Sequence, residues 1–252
     1  MTKQLVIWQF MYQNIVQQTA VMLLYVLQSE GSSPGRRGFF MAVNAKGEMQ
    51  GSIGGGMMEY KLVELAKEKL KNAKYEWAIK KQIHNKSADT NQSGMICSGE
   101  QTVLIYEVKV ADQIHIKNII HSLEKNINGE LQLSPTGIIF SDTVPSNNFE
   151  FVFTTESDWL YKEKLGYKNN LYIIGGGHCA MALSKLMSTM DFYIYLYEER
   201  KDLNTFLQNN FVYKKTVIDN YQQLSTYIPS GDHHYIVIMT FGYRTDYIAL
   251  KS

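Results

Sequence analysis

Leu171-Tyr172-Ile173-Ile174-Gly175-Gly176-Gly177-His178-Cys179-Ala180 is the stretch on which the fold turns. Four apolar residues read as a buried strand, three glycines as a sharp turn, and His178 to Met190 as a helix. Phe192 to Tyr197 supplies a second strand, so the segment opens as the βαβ unit of a parallel sheet. The turn fits G-x-G-x-x-A, and Glu198 follows Gly177 by 21 residues, where a dinucleotide fold sets an acid on the ribose hydroxyls. Gly175 then makes the tight turn, Gly177 lets backbone approach a phosphate, and Ala180 permits close helix–strand contact. Amides at the helix start offer an anion site, and His178 stands either as a phosphate donor or as a solvated side chain there. Cys179 reads as a small packing residue. Glu198 favours NAD over NADP, because a carboxylate repels a 2′-phosphate. The same pattern also describes a Rossmann-like unit that binds nothing.

Upstream the pattern is different. Leu5 to Gln17 has helical apolar spacing, and Ala20 to Leu27 is a buried strand. Phe39–Val43 and Glu48–Ile53 form a hairpin, Met57–Lys71 a helix, and Tyr75–Ile83 and Thr102–Val108 strands. Gln113–Lys125 reads as a helix, Leu131–Phe140 and Phe149–Thr154 as strands. Polar 158–170 is the expected boundary, which divides the chain into an α/β domain at 1–157 and a Rossmann-like βαβ domain at 158–252.

Three loops of the first domain carry chemistry. Gly51-Ser52-Ile53-Gly54-Gly55-Gly56 lies between strand and helix, and its amides can converge on an anion; Glu59 suits the first helical turn. No Gly-Lys-Ser/Thr follows, so it is not a Walker loop. Gly31-Ser32-Ser33-Pro34-Gly35-Arg36-Arg37 brings two cations able to clamp phosphate or carboxylate, or simply to be solvated. Gly94-Met95-Ile96-Cys97-Ser98-Gly99 sets a thiol in a glycine-flanked loop, for a metal, for sulfur transfer or for packing. No Cys or His stands at zinc spacing from Cys97.

Composition sets bounds on all this. Among 252 residues, 25 Lys+Arg against 24 Asp+Glu leave +1, which argues against a dedicated nucleic-acid binder. Two cysteines make no disulfide framework and suit a reducing cytoplasm. No apolar run approaches the roughly 20 residues of a membrane helix, and no signal-peptide pattern opens the chain.

The three upstream loops together resemble the N-terminal domain of the XdhC/CoxI family of xanthine dehydrogenase accessory proteins. Gly175-Gly176-Gly177-His178, Tyr197-Glu198-Glu199-Arg200, His233-His234-Tyr235 and Met239-Thr240 are similar to that family's C-terminal Rossmann domain. The resemblance implies a non-catalytic, chaperone-like carrier that binds molybdenum cofactor (molybdopterin) and helps its sulfurated form into a molybdenum hydroxylase such as xanthine dehydrogenase. It implies a hydroxylase client and a cysteine desulfurase as partners. The cofactor-binding residues would be Arg36, Gly54, Gly55, Gly56, Glu59, Cys97, Gly175, Gly177, His178 and Glu198, with Cys97 the one near molybdenum. The chain departs from the family at Ser98 (usually Gly), Phe241 (usually His) and Glu198 (usually Asp). Two other readings compete: an NAD(P)-dependent oxidoreductase using Gly175, Gly177 and Glu198, for which no catalytic dyad is evident, and an interaction module with a vestigial Rossmann unit.

Leu171 to Ser252 holds four strand candidates against about six in a full dinucleotide fold. The expectation is a C-terminally shortened Rossmann half whose exposed sheet edge favours a homodimer.

Overall fold

This computed structural model describes residues 3–72, 77–84, 92–94, 98–125, 127–166, 169–190, 192–231 and 233–252. The apolar spacing near the N-terminus forms helix α1 (Lys3–Val16), which buries Leu5, Trp8, Met11 and Ile15. Strand β1 (Val21–Gly31) pairs antiparallel with β2 (Phe40–Asn44) and with β5 (Gly99–Glu107). β3 (Met49–Gly51) and β4 (Trp77–Ile83) complete a five-stranded sheet of order β3-β2-β1-β5-β4. Helix α2 (Gly56–Asn72) covers one face.

β1 is apolar at every position from Val21 to Leu27 because both of its faces are covered. Met22, Leu24 and Val26 meet Met58, Leu62 and Ala66 of α2, while Val21, Leu23, Tyr25 and Leu27 join a second core. That core is closed by α1, by α3 (Gln113–Glu124) and by an antiparallel sheet of β6 (Gly129–Ser134), β7 (Gly137–Ser141), β8 (Phe149–Thr155) and β9 (Asp158–Leu165), in the order β7-β6-β9-β8. Tyr25 of β1 and Tyr161 of β9 both donate to buried Glu163, at 2.5 and 2.7 Å, and so fasten one sheet to the other. Burial, then the Glu163 charge, raises both phenols well above their ordinary range.

Two expectations change here. The strand expected at 131–140 is a hairpin, β6 and β7, turning where Gly137 has a φ of +129°. The polar boundary is also displaced. Asp158–Leu165 is β9, paired with β6 and β8, so the first compact unit runs Lys3–Gly166 and the second Tyr167–Ser252.

The second unit is built as the glycine turn suggests. β10 (Asn169–Ile174), α4 (His178–Met187), β11 (Phe192–Glu198), α5 (Asn204–Gln208), β12 (Lys214–Val217), β13 (His234–Ile238) and α6 (Tyr243–Lys251) follow in sequence. The four strands are parallel, in order β12-β11-β10-β13, with buried clusters on both faces. The chain is therefore α/β, with a Rossmann-like parallel sheet. No helix among the described residues is long and apolar enough to cross a membrane.

Candidate functional site

In the first unit the glycines make the loops interlock. A Cβ on Gly35 would stand 2.0 Å from the Ile53 carbonyl oxygen, and one on Gly54 2.5 Å from the Gly35 nitrogen. A Cβ on Gly99 would stand 2.5 Å from the Ser32 carbonyl carbon, with Gly31 in register opposite. The turn at 31–38, the turn at 51–56 and the start of β5 therefore form one cluster at the end of the sheet. Cys97 lies outside the described residues.

The carboxylate of Glu59 occupies the amides of the first glycine turn. It accepts from Ile53 N at 2.8 Å, Gly55 N at 2.9 Å and the Ser52 hydroxyl at 2.7 Å. The anion on which these amides converge in this structure is Glu59 itself. Gly54, Gly55 and Gly56 all have positive φ, and a Cβ on Gly55 would meet nothing within 4 Å. Arg36 is exposed and spends one N–H on the Gly31 carbonyl at 3.0 Å. Arg37 lies 5.8 Å from the Phe149 ring.

Beneath the loops is a buried polar network that has no sequence motif. Gln101 donates its amide to the Ile53 carbonyl at 3.0 Å, which turns its oxygen toward His84 Nε2 at 3.0 Å. This network assigns the His84 proton to Nε2 and leaves Nδ1 to accept from Ser93 at 2.7 Å. Ser33 Oγ lies 3.4 Å from Nε2 and donates to Gly35 O. One imidazole so links the 31–38 turn, the carbonyl of Ile53 and the segment at 93. Burial lowers the His84 pKa, partly opposed by the Gln101 bond.

In the second unit Gly175 has a φ of +105°, and a Cβ there would lie 2.4 Å from the Met239 carbonyl oxygen. Gly176 is clamped, its N–H donating to Glu198 at 2.7 Å and its carbonyl accepting from Thr205 at 2.6 Å. Gly177 caps α4 in an extended conformation, with nothing within 4 Å of an added Cβ. His178 and Cys179 are exposed in the first turn of α4, while Ala180 is buried beneath.

Glu198 is turned into the protein. It is fully buried, and its two oxygens accept from Gly176 N, Glu199 N, Arg200 N, Arg200 Nε and Nη2, and the Tyr221 hydroxyl. Six donors exceed the roughly four lone-pair sites of a carboxylate. Burial alone would raise its pKa; the Arg200 and backbone bonds outweigh that and hold it at about 2. What reaches the surface is Arg200, whose guanidinium lies 5.0 Å from the ring of Phe241. A cavity of about 460 Å³ opens here, lined by Gly177, His178, Arg200, Thr240 and Phe241 among others.

Residues 15–78 match the XdhC and CoxI family. This XdhC/CoxI segment takes in Arg36, Gly54, Gly55, Gly56 and Glu59, together with strands β1 to β3 and helix α2. His84, Ser93 and Gln101, which support its loops, lie beyond it. A crystal structure described as a xanthine dehydrogenase from Bacillus halodurans is similar over 100% of this chain and 78% of its own, with a TM-score of 0.61 and 16% identity. That likeness carries the shared fold through both units. No curated protein matches the sequence.

Proposed function

We propose that the chain is an accessory protein for xanthine dehydrogenase-type molybdenum hydroxylases, holding molybdenum cofactor for delivery to the enzyme. The observation that carries this is the interlocking of the glycine turns within and beside the XdhC/CoxI segment, at the place where the resemblance puts the cofactor. The donor set fits a phosphate-bearing ligand in part. Arg36 offers N–H groups beyond the one given to Gly31, and Gly55 leaves open space where a side chain would stand. The Ile53 and Gly55 amides become available only when Glu59 moves aside. On this reading Arg36 and the turn at 54–56 hold the phosphate, and Cys97 faces the molybdenum or its sulfur. The cofactor supplies the metal redox chemistry of the client; this chain binds, shields and releases it. A cysteine desulfurase is the sulfur source, and the open edge of β13 is the surface for a homodimer.

The second unit, on the same reading, takes a phosphate-bearing nucleotide at the α4 turn. The test is to load the purified chain with molybdenum cofactor and measure the pterin retained, beside Cys97→Ala and Gly55→Asp. Retention by the parent chain and loss in both variants is expected; equal retention in all three overturns the reading. Hydride transfer from NAD(P)H to a carbonyl compound would make the chain an oxidoreductase instead.

A further inference from the structure

The second glycine turn carries a feature that its motif conceals. In a dinucleotide fold an acid at the end of the second strand selects the ribose diol, whereas an arginine there accommodates a 2′-phosphate. Glu198 occupies that position in the sequence, but none of its surface reaches solvent and both its oxygens are taken. The group presented instead is Arg200. Its Nε and one Nη2 hydrogen are fixed on Glu198, at 2.9 Å each, which sets the plane of the guanidinium. Its other N–H groups have no partner among the described residues, and the side chain is 43% exposed. The Glu198–Arg200 pair is electrically neutral, so hydrogen-bonding character decides what it selects: the edge toward the cavity has only donors.

The cavity walls agree with this. Among the described residues no Asp or Glu lines it, whereas His178, Asn204 and Gln208 bring polar side chains. Phe241, 66% exposed, offers a flat apolar face beside the guanidinium. Gly177 is a second, independent sign of a ligand. Gly175 and Gly176 are glycines because a Cβ would strike Met239 or Phe206, but Gly177 has an ordinary conformation and open space before it. No steric contact requires glycine there, and the missing side chain leaves the backbone open to the close approach of a ligand phosphate.

We propose that this cavity binds an adenosine carrying a 2′-phosphate, as in NADP(H), with Arg200 holding the phosphate and Phe241 flanking the base. The site therefore discriminates against the unphosphorylated ribose. This rests on the reading of the second unit as nucleotide-binding and reverses the NAD preference that Glu198 suggests in the sequence.

The test is calorimetric titration of the full chain with 2′,5′-ADP and 5′-AMP, then NADP⁺ and NAD⁺. Because Arg200 holds Glu198, Arg200→Lys is paired with Gly177→Ala, whose new methyl group touches nothing in the protein. The phosphorylated member of each pair should bind at least about tenfold more tightly, as charge-assisted bonds to a phosphate require. Arg200→Lys should narrow that ratio, and Gly177→Ala should weaken all four ligands with the thermal midpoint unchanged. Equal binding, or tighter binding of 5′-AMP and NAD⁺, overturns the 2′-phosphate assignment and leaves the nucleotide reading intact. No binding of any of the four overturns both, while pterin retention by the first unit is measured separately.

Discussion

Replacing Glu198 by Gln keeps its shape and removes its charge. One carboxylate oxygen becomes an amide NH₂, which must then face donors: Gly176 N and Arg200 Nη2 on one side, or the Glu199 and Arg200 amides on the other. A fall in pKa from 4.5 to about 2 corresponds to about 3 kcal/mol of native-state preference for the charged form. Breaking a buried ion pair from one side costs a similar amount, about 3–5 kcal/mol. All three tryptophans, Trp8, Trp77 and Trp159, lie in the first unit, so their fluorescence does not follow this change. Amide hydrogen exchange in β10 and β11 does. Protection there should fall about a hundredfold in Glu198→Gln, the equivalent of about 3 kcal/mol. The pH dependence has a definite sign. A depressed carboxylate pKa stabilises fully above 4.5, and that stability is lost as the pH falls toward about 2. The parent chain should therefore lose protection in the second unit across that window, and Glu198→Gln should lack this loss. Protection within about twofold of the parent at neutral pH would refute the assignment of Glu198 as the unit's electrostatic keystone.

Three further outcomes concern the first unit. Gly35→Ala places a methyl group 2.0 Å from the Ile53 carbonyl oxygen and 2.3 Å from Gln101 Nε2. It should cost about 1–3 kcal/mol or more in urea titrations followed by tryptophan fluorescence. His84→Ala takes a buried partner from Gln101 and Ser93 and should cost about 1–3 kcal/mol in the same titration. Because burial lowers the His84 pKa below 6.5, the unfolded chain protonates first, so the parent should lose stability as pH falls below 6.5 and His84→Ala should lose this component. Glu59→Gln keeps the bulk but weakens bonds to two amides and a hydroxyl, costing about 1–2 kcal/mol and raising amide exchange at Ile53 and Gly55.

The residues that sequence reading placed well are those under severe steric or hydrophobic constraint. The Val21–Leu27 run had to be a strand covered on both faces, and Gly175 and Gly54 had to be turns because neighbouring backbone leaves no room for a Cβ. Strand β9 was hidden by its composition. Trp159, Tyr161, Glu163 and Leu165 face inward in strict alternation, but the inward Glu163 and the outward Lys162 and Lys164 make the segment read as a polar linker. His84 and Gln101 carry no motif, because they meet only when β4 and β5 pair across intervening chain. The burial of Glu198 is not legible in the sequence for a related reason. A spacing rule places the carboxylate at the right end of the strand without revealing that Arg200, two residues on, folds back on it.

The two glycine turns have the same internal arrangement and different availability. In each, an acid of the chain itself sits against the turn's amides, Glu59 on Ile53 and Gly55, Glu198 on Gly176. Glu59 reaches the turn from the first turn of α2 and remains partly accessible, so displacing it means exchanging one anion for another in contact with water. Glu198 has no such exit: it is sealed under Gly176, Arg200 and Tyr221. An incoming phosphate at the first turn therefore competes with Glu59 and should bind more tightly when that carboxylate is neutralised. A phosphate at the second turn competes with nothing, because Glu198 fixes Arg200 in place and leaves the rest of the guanidinium free. Anion affinity in Glu59→Gln and in Glu198→Gln should consequently move in opposite directions, up in the first unit and down in the second. Phosphate titrations of the two variants that moved together would show that the two acids do not play these separate parts.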